Sequence, residues 1–320
     1  MSVTSPTVVS IVVPTYNEQE DITRTVESLL ALKYPHKEII IVDDSTDATP
    51  TILERYRTRG VQIYREKHAG GRCGARNLGI RMARGDVVVI LNADVCPEPD
   101  FLDRVLAHYR SGAEYLIVGN RVANIEYLFP RYLDAVHNRD VDLSRYEWTE
   151  GFSCKREAAL TVGLFPVDTP LPYCGGEDVI FGQKLRENFR RAVDGSIVVP
   201  HHSPARFTEF WANRRQRGWG SPVFKYFCLR QGLLWIVIVA VGKTAINVLR
   251  IGLGLPASIR AYRTASYSNR GLMDCVPFLI VDGIETVAMT IGEWAGIIDV
   301  FRYRKWPELR TDKWLLDGKS

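Results

Sequence analysis

Short apolar runs, separated by amphipathic stretches, organise the first two thirds of the chain. Six runs rich in β-branched residues each have the length of one strand: 8–13, 39–42, 61–64, 87–91, 115–118 and 197–199. Runs without polar alternation are typical of strands buried on both faces, as in parallel sheets. The stretches between them have helical periodicity, as where Ile22, Val26 and Leu29 share one face. The pattern predicts an α/β fold with an open, mostly parallel, Rossmann-like sheet and helices on both faces.

The last third of the chain has a different pattern. Residues 233–249 are nearly all apolar, which is borderline for a membrane span, since a spanning helix takes about 20 apolar residues. In the next apolar segment, 273–299, four acids fall within about a third of the helix circumference: Asp274, Asp282, Glu285 and Glu293. We therefore expect hydrophobic and amphipathic C-terminal helices associated with a membrane, at its interface or inside it with the acidic stripe against protein. The alternative is a soluble helical hairpin packed on the preceding domain.

This change of pattern divides the chain into two predicted units, residues 1–225 and residues 226–320. Basic residues flank the apolar segments on every side, so charge bias alone sets no topology. The N-terminus lacks the basic-then-apolar pattern of a signal peptide. We expect a membrane-associated protein whose first unit faces the cytoplasm.

Composition and charge narrow the class of protein. A hydrophobic content of 46% and a charged content of 24% are ordinary for a globular chain. The net charge of +4 comes without a long basic run, so no nucleic-acid partner is expected. The six cysteines show no C-x-x-C spacing, which disfavours a zinc site or a disulfide framework and fits a reducing compartment.

Polar residues follow three of the predicted strands at the point where each strand ends. These segments are "PTYNE" (14–18), "DDSTDAT" (43–49) and "NAD" (92–94). In open α/β sheets ligands bind beyond the carboxyl ends of the strands, so the three loops are expected to line one crevice. Helix capping is the structural alternative for each acid taken alone, most of all for Asp47. Neither glycine-rich nucleotide fingerprint is present, so a phosphate ligand would need a cation held by acids, together with arginines such as Arg72 and Arg76.

Six blocks of the sequence, in this order and spacing, resemble glycosyltransferase family 2, whose members have the GT-A fold. The blocks are "SIVVPTYNEQEDI", "IIIVDDSTDAT", "GGRCGARNLGI", "GDVVVILNADVCPEPDFL", "EGFSCKREAALTVGLFP" and "GGEDVIFGQKLRE". The resemblance covers about residues 8–220. It implies that unit 1–225 is a GT-A domain acting on a nucleotide-sugar, and that unit 226–320 is a membrane-associated helical region.

The resemblance assigns a donor site. Pro14, Tyr16 and Glu18 would line the pocket for the base, with Tyr16 stacked on it. Asp44 would accept a hydrogen bond from the base, and Arg76 would approach the diphosphate. UDP is the default expectation for the nucleotide and GDP the next, because a stacked tyrosine tolerates either ring.

The same resemblance assigns a metal site. Asp94 occupies the last position of the family's D-x-D motif and would bind Mn²⁺ or Mg²⁺ between the two phosphates. Asn92 stands where the family usually has aspartate, so it is expected to bind the donor through hydrogen bonds and to weaken, not abolish, metal binding. His201 fits the position of a histidine that completes the metal shell better than His202 does, and an ordinary core or surface histidine is the alternative.

The base for an inverting transfer is expected in "GGED". Asp178 matches the family's catalytic base, with Glu177 beside it, and the alternative is that Asp178 only caps a helix. The segment 148–152, "WTEGF", is expected to border the acceptor site.

The leading hypothesis is an inverting, metal-dependent glycosyltransferase that moves a sugar from a nucleoside diphosphate sugar to a hydroxyl of a lipid-linked or growing glycan. One alternative is a polyprenyl-phosphate sugar synthase, whose acceptor phosphate needs no base. Another is an inactive, membrane-bound subunit that only binds nucleotide-sugars. A nucleotidyltransferase would carry a basic, glycine-rich loop after the first strand, and "PTYNE" is not such a loop.

Overall fold

The fold is built around one seven-stranded sheet. The computed structural model describes residues 7–65, 71–140, 142–167, 169–172 and 174–305. The strands are β1 (Val9–Thr15), β2 (Lys37–Asp43), β3 (Val61–Arg65), β4 (Val87–Ile90), β5 (Tyr115–Val122), β6 (Ser153–Lys155) and β7 (Arg191–His201). Each of the six predicted apolar runs lies within or largely overlaps one of these strands. The short strand β6 was not predicted.

The strand order explains why the functional loops meet. The order across the sheet is β3-β2-β1-β4-β6-β5-β7. β1 pairs in parallel with both β2 and β4, and β5 pairs in parallel with β7. β6 lies antiparallel between β4 and β5. The carboxyl ends of β1, β2 and β4 therefore lie at the same edge of the sheet, as the sequence predicts. β6 runs in the opposite direction to β4.

Eleven α-helices lie within the described ranges. They are α1 (Ile22–Leu30), α2 (Thr49–Glu54), α3 (Gly71–Met82), α4 (Phe101–Arg110), α5 (Leu128–Asp140), α6 (Arg156–Thr161), α7 (Glu177–Asn188), α8 (Phe207–Val223), α9 (Leu233–Leu253), α10 (Leu255–Ala265) and α11 (Cys275–Tyr303). Alternate residues of the central strands lie on opposite faces of the sheet and pack in two separate hydrophobic cores. Ile11 packs in a cluster with α1 and α4, whereas Val12 packs in a cluster with α3, α6 and α7. Helices therefore cover both faces of the sheet, which confirms the predicted fold class.

The acidic stripe of α11 faces the protein. Asp274 pairs with Arg131 of α5 at 2.9 Å between Oδ2 and Nε. The remaining three acids pair with cations of α8, α9 and α10: Asp282 with Arg260 (2.7 Å), Glu285 with Arg214 (3.3 Å) and Glu293 with Lys243 (3.1 Å). Buried carboxylates require such partners, since an unpaired charge away from water is costly. The stripe thus fixes the rotation of α11, and the opposite face of this helix is left apolar and exposed.

Glycines bring α8 and α11 into close contact. A Cβ atom at Gly292 would lie 2.0 Å from the carbonyl oxygen of Arg215, and one at Gly296 would lie 2.3 Å from that of Trp219. On the facing helix, a Cβ atom at Gly218 would lie 2.1 Å from the carbonyl oxygen of Met289. Small residues at such positions let two helix backbones approach each other. α11 is therefore anchored to the sheet domain through α8.

Two helical segments are long and apolar enough to cross a membrane, judged by length and composition. These are Leu233–Leu253, with mean hydropathy 1.8, and Gly271–Tyr303, with mean hydropathy 1.6. In the first, large side chains such as Leu234 and Ile246 are 74% and 65% exposed. The predicted hydrophobic and amphipathic helices are present after the sheet domain. The boundary near residue 225 stays a prediction, and residues 306–320 of the second predicted unit lie outside the described residues.

Candidate active site

The loops after β1 and β2 are joined into one wall of the crevice by Asn17. This residue has a left-handed backbone, with φ of +58°, which asparagine tolerates better than most residues. Its side-chain oxygen accepts hydrogen bonds from the backbone N–H groups of Thr46, at 2.8 Å, and Asp47, at 3.3 Å. Its own N–H donates to the hydroxyl of Ser45 at 2.7 Å. Asp47 also accepts a hydrogen bond from the N–H of Thr49, the first residue of α2, at 2.9 Å, while the N-cap residue of that helix is Ala48.

The predicted base pocket lies along this wall. Pro14 is buried within β1, and Tyr16 is 58% exposed just beyond the strand end, so its ring is available to a ligand. Asp44 is half-buried, and its N–H donates to the carbonyl of Thr15 at 3.1 Å, which sets it beside the β1 loop. Glu18 is half-buried between acids. Burial, with the nearby charges of Asp21 and Asp47, raises the pKa of Glu18 to about 7 against the opposing charge of Arg72.

Asp94 lies where β4 has ended. The carbonyl of Ala93 accepts a hydrogen bond from the Thr25 hydroxyl of α1 at 2.6 Å, and that of Asp94 accepts one from the N–H of His202 at 3.0 Å. The loop is therefore tied to α1 and to the end of β7. The side-chain Oδ1 of Asp94 is buried and has no hydrogen-bond partner. Burial, together with the charges of Glu150 and Glu18, raises the pKa of Asp94 well above its usual range.

Asn92 donates a hydrogen bond from Nδ2 to Oε1 of Glu150 at 2.7 Å. Burial raises the pKa of Glu150, and this effect is larger than that of the charges of Arg76 and Arg72, which lower the pKa. The charge of Asp178 also raises it. Asn92 and Glu150 thus connect the end of β4 to the acids and arginines on the far side of the crevice.

Two arginines of α3 have different surroundings. Arg76 is 1% exposed, pairs with Glu177 at 3.3 Å, and has its guanidinium 4.8 Å from the ring centroid of Trp148 and 5.2 Å from that of Phe165. Arg72 is exposed to solvent. Partial burial of its guanidinium lowers the pKa of Arg72, but the charges of Glu177 and Glu150 outweigh this effect and raise the pKa overall. The arginine that the structure exposes to the crevice is therefore Arg72. The predicted contact of Arg76 with a diphosphate stays a prediction.

Glu177 and Asp178 begin α7 but differ in access. Glu177 is fully buried, whereas Asp178 is half-buried at the crevice. The helix N-cap is Gly176, with φ of +92°, and a Cβ atom there would lie 2.7 Å from the ring of Phe224. Asp178 lies in the first helical turn and accepts a hydrogen bond from the N–H of Val179 at 2.8 Å. Of the two predicted catalytic acids, Asp178 is the one that a substrate can reach.

His201 ends β7 next to the Asp94 loop, since Val95 and His201 form an isolated antiparallel bridge. Burial, with the charges of His137, Arg217 and His202, lowers the pKa of His201 to about 4, so its imidazole is neutral at pH 7. Its Nδ1 is buried and has no hydrogen-bond partner. A neutral imidazole with an open nitrogen is the state that binds a metal. Its assignment to the metal shell stays a prediction.

The donor set fits a hard divalent cation. Asp94 has a buried carboxylate oxygen with no partner, and the carboxylate of Glu150 is its strongest charged neighbour. Magnesium-type sites use one or two carboxylates and take their other ligands from substrate phosphates and water. In the part of the chain that the structure describes, no group of three His, Cys, Asp or Glu side chains is arranged to hold a metal ion alone. Asp94 and its neighbours would therefore hold a cation together with the donor's phosphates.

The sequence did not single out Arg72 and Glu150 as site residues over their neighbours. Arg72 differs from Arg76 only by one helical turn, and periodicity alone does not say which of them faces the crevice. Glu150 precedes the three-residue strand β6, which has no apolar run to announce it. Its one local signal is the acid–glycine pair in "WTEGF", where Gly151 has φ of +82°.

Comparison with known proteins agrees with this geometry. Residues 10–160 match the family model described as glycosyl transferase family 2. Over 162 residues the chain is 31% identical to glycosyltransferase AglE of Haloferax volcanii, covering 49% of this chain and 51% of that protein. Over 87 residues it is 37% identical to the UDP-Glc:alpha-D-GlcNAc-diphosphoundecaprenol beta-1,3-glucosyltransferase WfaP of Escherichia coli, covering 27% of this chain and 35% of that protein. The chain thus spans about half or less of the length of these relatives.

A solved structure extends the likeness to the whole fold. The mannosyltransferase PcManGT of Pyrobaculum calidifontis, in complex with GDP-Man and Mn²⁺, superposes with a TM-score of 0.61 at 20% identity, covering 92% of this chain and 88% of that one. The predicted GT-A fold is therefore confirmed. The family model, the related glycosyltransferases and this fold agree: residues 10–160 match glycosyltransferase family 2, and the fold around them is of the GT-A type.

Proposed function

We propose that the protein is an inverting, metal-dependent glycosyltransferase that moves a sugar from a nucleoside diphosphate sugar to a hydroxyl of a lipid-linked or growing glycan. One observation carries the proposal. Oδ1 of Asp94, at the end of β4, is a buried carboxylate oxygen with no hydrogen-bond partner, and Asp178, at the start of α7, has an accessible carboxylate. Glu150 interacts electrostatically with both Asp94 and Asp178, and Arg72 interacts with both Glu150 and Asp178, which supports one shared crevice. Such a crevice provides separate positions for a diphosphate and for an acceptor.

On the donor side, the exposed ring of Tyr16 would stack on the base, and Asp44 would accept a hydrogen bond from it. Arg72 would bind a phosphate oxygen, since a guanidinium pairs well with phosphate. A relative named for UDP-glucose and a structural neighbour that holds GDP-mannose support a nucleoside diphosphate sugar without choosing its base.

Asp94, with His201 as a further candidate, would hold the Mn²⁺ or Mg²⁺. A divalent cation there supplies neutralisation of the diphosphate charge that grows as the leaving group departs. The residues of the chain orient the donor so that its anomeric carbon faces Asp178.

On the acceptor side, Asp178 would act as the base. Its carboxylate would take the proton of the acceptor hydroxyl while the hydroxyl oxygen bonds to the anomeric carbon from the face opposite the diphosphate. The bond from that carbon to the diphosphate oxygen breaks, and the nucleoside diphosphate leaves with the electron pair. Attack from the opposite face inverts the configuration. The buried Glu177, held by Arg76, would fix the position of Asp178 instead of exchanging a proton with substrate.

We propose that α9 and α11 keep this crevice at a membrane, with the GT-A unit facing the cytoplasm. The apolar, exposed faces of α9 and α11 support the contact with lipid. A relative named for a diphosphoundecaprenol-linked acceptor supports a lipid-linked substrate.

The function is tested by measuring nucleoside diphosphate release by the membrane-bound chain with UDP- and GDP-sugars, Mn²⁺ and two acceptor classes, a polyprenyl-linked glycan and a polyprenyl phosphate. We expect release that depends on the glycan acceptor, gives a product of inverted configuration, and falls about 100-fold or more in Asp178→Asn, as is typical of general-base catalysis. Exposed Glu157→Gln is the matched control. Release that needs only polyprenyl phosphate and persists in Asp178→Asn would contradict the proposed acceptor and base.

A further inference from the structure

Glu150 contacts Asn92 from the turn that precedes β6. β4 and β6 pair antiparallel, with Val87 opposite Lys155 and Val89 opposite Ser153. Just beyond that ladder, the N–H of Ile90 still donates to the carbonyl of Phe152 at 2.9 Å. Glu150 lies in the turn that precedes β6, where the N–H of Phe152 donates to the carbonyl of Thr149 at 3.1 Å. The 2.7 Å hydrogen bond between the side chains of Asn92 and Glu150 therefore joins this turn to the loop after β4.

The two side chains are complementary in charge and in hydrogen bonding. Asn92 stands where the resemblance leads one to expect an aspartate. An aspartate at this position would bring a second carboxylate against Glu150 and could not donate to it. With asparagine, the amide donates and Glu150 accepts. The pair carries one negative charge, the same as an aspartate paired with a neutral partner. Compared with an aspartate at position 92, the negative charge lies on Glu150, in the turn that precedes β6.

The charge of Glu150 is directed towards Asp94. Of all charged groups around Asp94, Glu150 acts on it most strongly, ahead of Glu18 and Asp21. Oδ1 of Asp94 is buried and accepts no hydrogen bond. Like charges that close to each other are unfavourable unless a cation lies between or beside them. Arg72 and Arg76 offset part of the charge of Glu150, whereas neither arginine is among the main charged groups that act on Asp94.

We propose that Glu150 supplies, beside Asp94, the second carboxylate of the divalent-cation site, held in place by Asn92. The inference rests on the proposed metal-dependent function and adds to it a ligand from outside the D-x-D position. Asn92 is then a positioning residue for Glu150. Its amide is a replacement that preserves the charge of the site and not a sign of lost activity.

The test is Mn²⁺ binding by the full-length, detergent-solubilised chain, measured by electron paramagnetic resonance with and without UDP and GDP. Glu150→Gln is the informative variant, because a glutamine oxygen can still accept the hydrogen bond from Asn92 and only the charge is lost. We expect it to weaken Mn²⁺ binding at least about tenfold, since cation affinity follows the number of ligand charges. Exposed Glu98→Gln in the same loop region is the control and should bind Mn²⁺ normally.

A double variant tests whether the carboxylate can be placed at position 92 in exchange for the one at position 150. Asn92→Asp combined with Glu150→Gln places the carboxylate at position 92 and lets the glutamine amide donate a hydrogen bond to it. We expect this double variant to recover Mn²⁺ affinity to within a few-fold of the natural chain, while retaining a cooperative melting transition. Recovery of this kind is not expected if Glu150 has only a structural role.

Three results would overturn the inference and can be told apart. If Glu150→Gln binds Mn²⁺ normally while Asp94→Asn does not, Glu150 is not a ligand and the proposed function stands. If Glu150→Gln binds Mn²⁺ and nucleotide normally but binds the nucleotide-sugar more weakly, Glu150 contacts the sugar, and the inference is likewise overturned. If the natural chain itself binds no Mn²⁺ with either nucleotide, the metal-dependent function fails together with the inference.

Discussion

Arg76 and Glu177 form a buried ion pair, with 3.3 Å between Nη1 and Oε1, and both side chains are almost fully enclosed. The pair joins α3 to the first turn of α7, and the rings of Trp148 and Phe165 cover the guanidinium. The residue that follows Glu177 is Asp178. The orientation of the proposed base is therefore expected to depend on this buried ion pair.

Removing one partner of this pair should be costly. We expect Arg76→Met to lower the free energy of unfolding by about 3–5 kcal/mol, because it leaves the charge of Glu177 buried and uncompensated. The double variant Arg76→Met with Glu177→Gln should recover most of that loss, since no charge remains. Chemical denaturation in detergent measures both. A single variant as stable as the double variant would show that the pair does not orient α7.

Stability should depend on pH through Glu18. Its pKa is raised from 4.5 to about 7, so between these values the folded chain holds a proton that the unfolded chain has released. The free energy of unfolding therefore falls as pH rises through this window, and the stability is fully present only below about pH 4.5. Glu18→Gln should be more stable than the natural chain by about 2 kcal/mol near pH 8 and equal to it near pH 4, given about 1.4 kcal/mol per pKa unit and some screening.

Melting temperatures across this pH range check the Glu18 prediction. Glu20→Gln, at an exposed neighbouring acid, is the control and should follow the natural chain at every pH. Parallel curves for Glu18→Gln and the natural chain would mean that Glu18 ionises normally.

Two glycines of α11 offer a matched test of helix contact. We expect Gly292→Ala to destabilise the chain by about 1–3 kcal/mol, since its Cβ atom would lie 2.0 Å from the carbonyl oxygen of Arg215 and overpacking forces the backbones apart. Gly283→Ala, in the same helix with no neighbour within 4 Å, should be neutral or slightly stabilising because alanine favours helix. Differential scanning measurements in detergent compare them. Equal effects at the two positions would argue against the close α8–α11 contact.

The exposed face of α9 should decide membrane association. We expect the natural chain to stay with membranes at high salt, because apolar contact is not screened by ions. Ile238→Glu combined with Ile246→Glu should release it, since both side chains are more than half exposed and an acid in a lipid-facing position is unfavourable. Leu160→Glu combined with Val193→Glu, two exposed apolar residues of the sheet domain, is the control. Release of both double variants alike would remove α9 as the contact.

Much of the fold follows from local patterns, and the site follows only in part. Unbroken β-branched runs such as 87–91 and 39–42 predict strands because only a sheet covered on both faces buries such runs. Strand β6 has no such run, so the hydrophobic pattern predicts neither its antiparallel position in the sheet nor the location of Glu150. The different environments of Arg72 and Arg76 also depend on packing, since the rings of Trp148 and Phe165 that enclose Arg76 come from distant segments. Asp94 and Asp178 were predicted as a metal ligand and a base from a resemblance, and their roles stay predictions.

The most direct test of the central claim is nucleotide binding by thermal shift of the detergent-solubilised chain, with UDP, GDP, CDP and dTDP, each with and without Mn²⁺. The account predicts that one nucleoside diphosphate raises the melting temperature only when Mn²⁺ is present, and that Asp94→Asn loses this shift while melting cooperatively. A natural chain that melts cooperatively yet shifts with none of the nucleotides, or shifts equally without Mn²⁺, would contradict it.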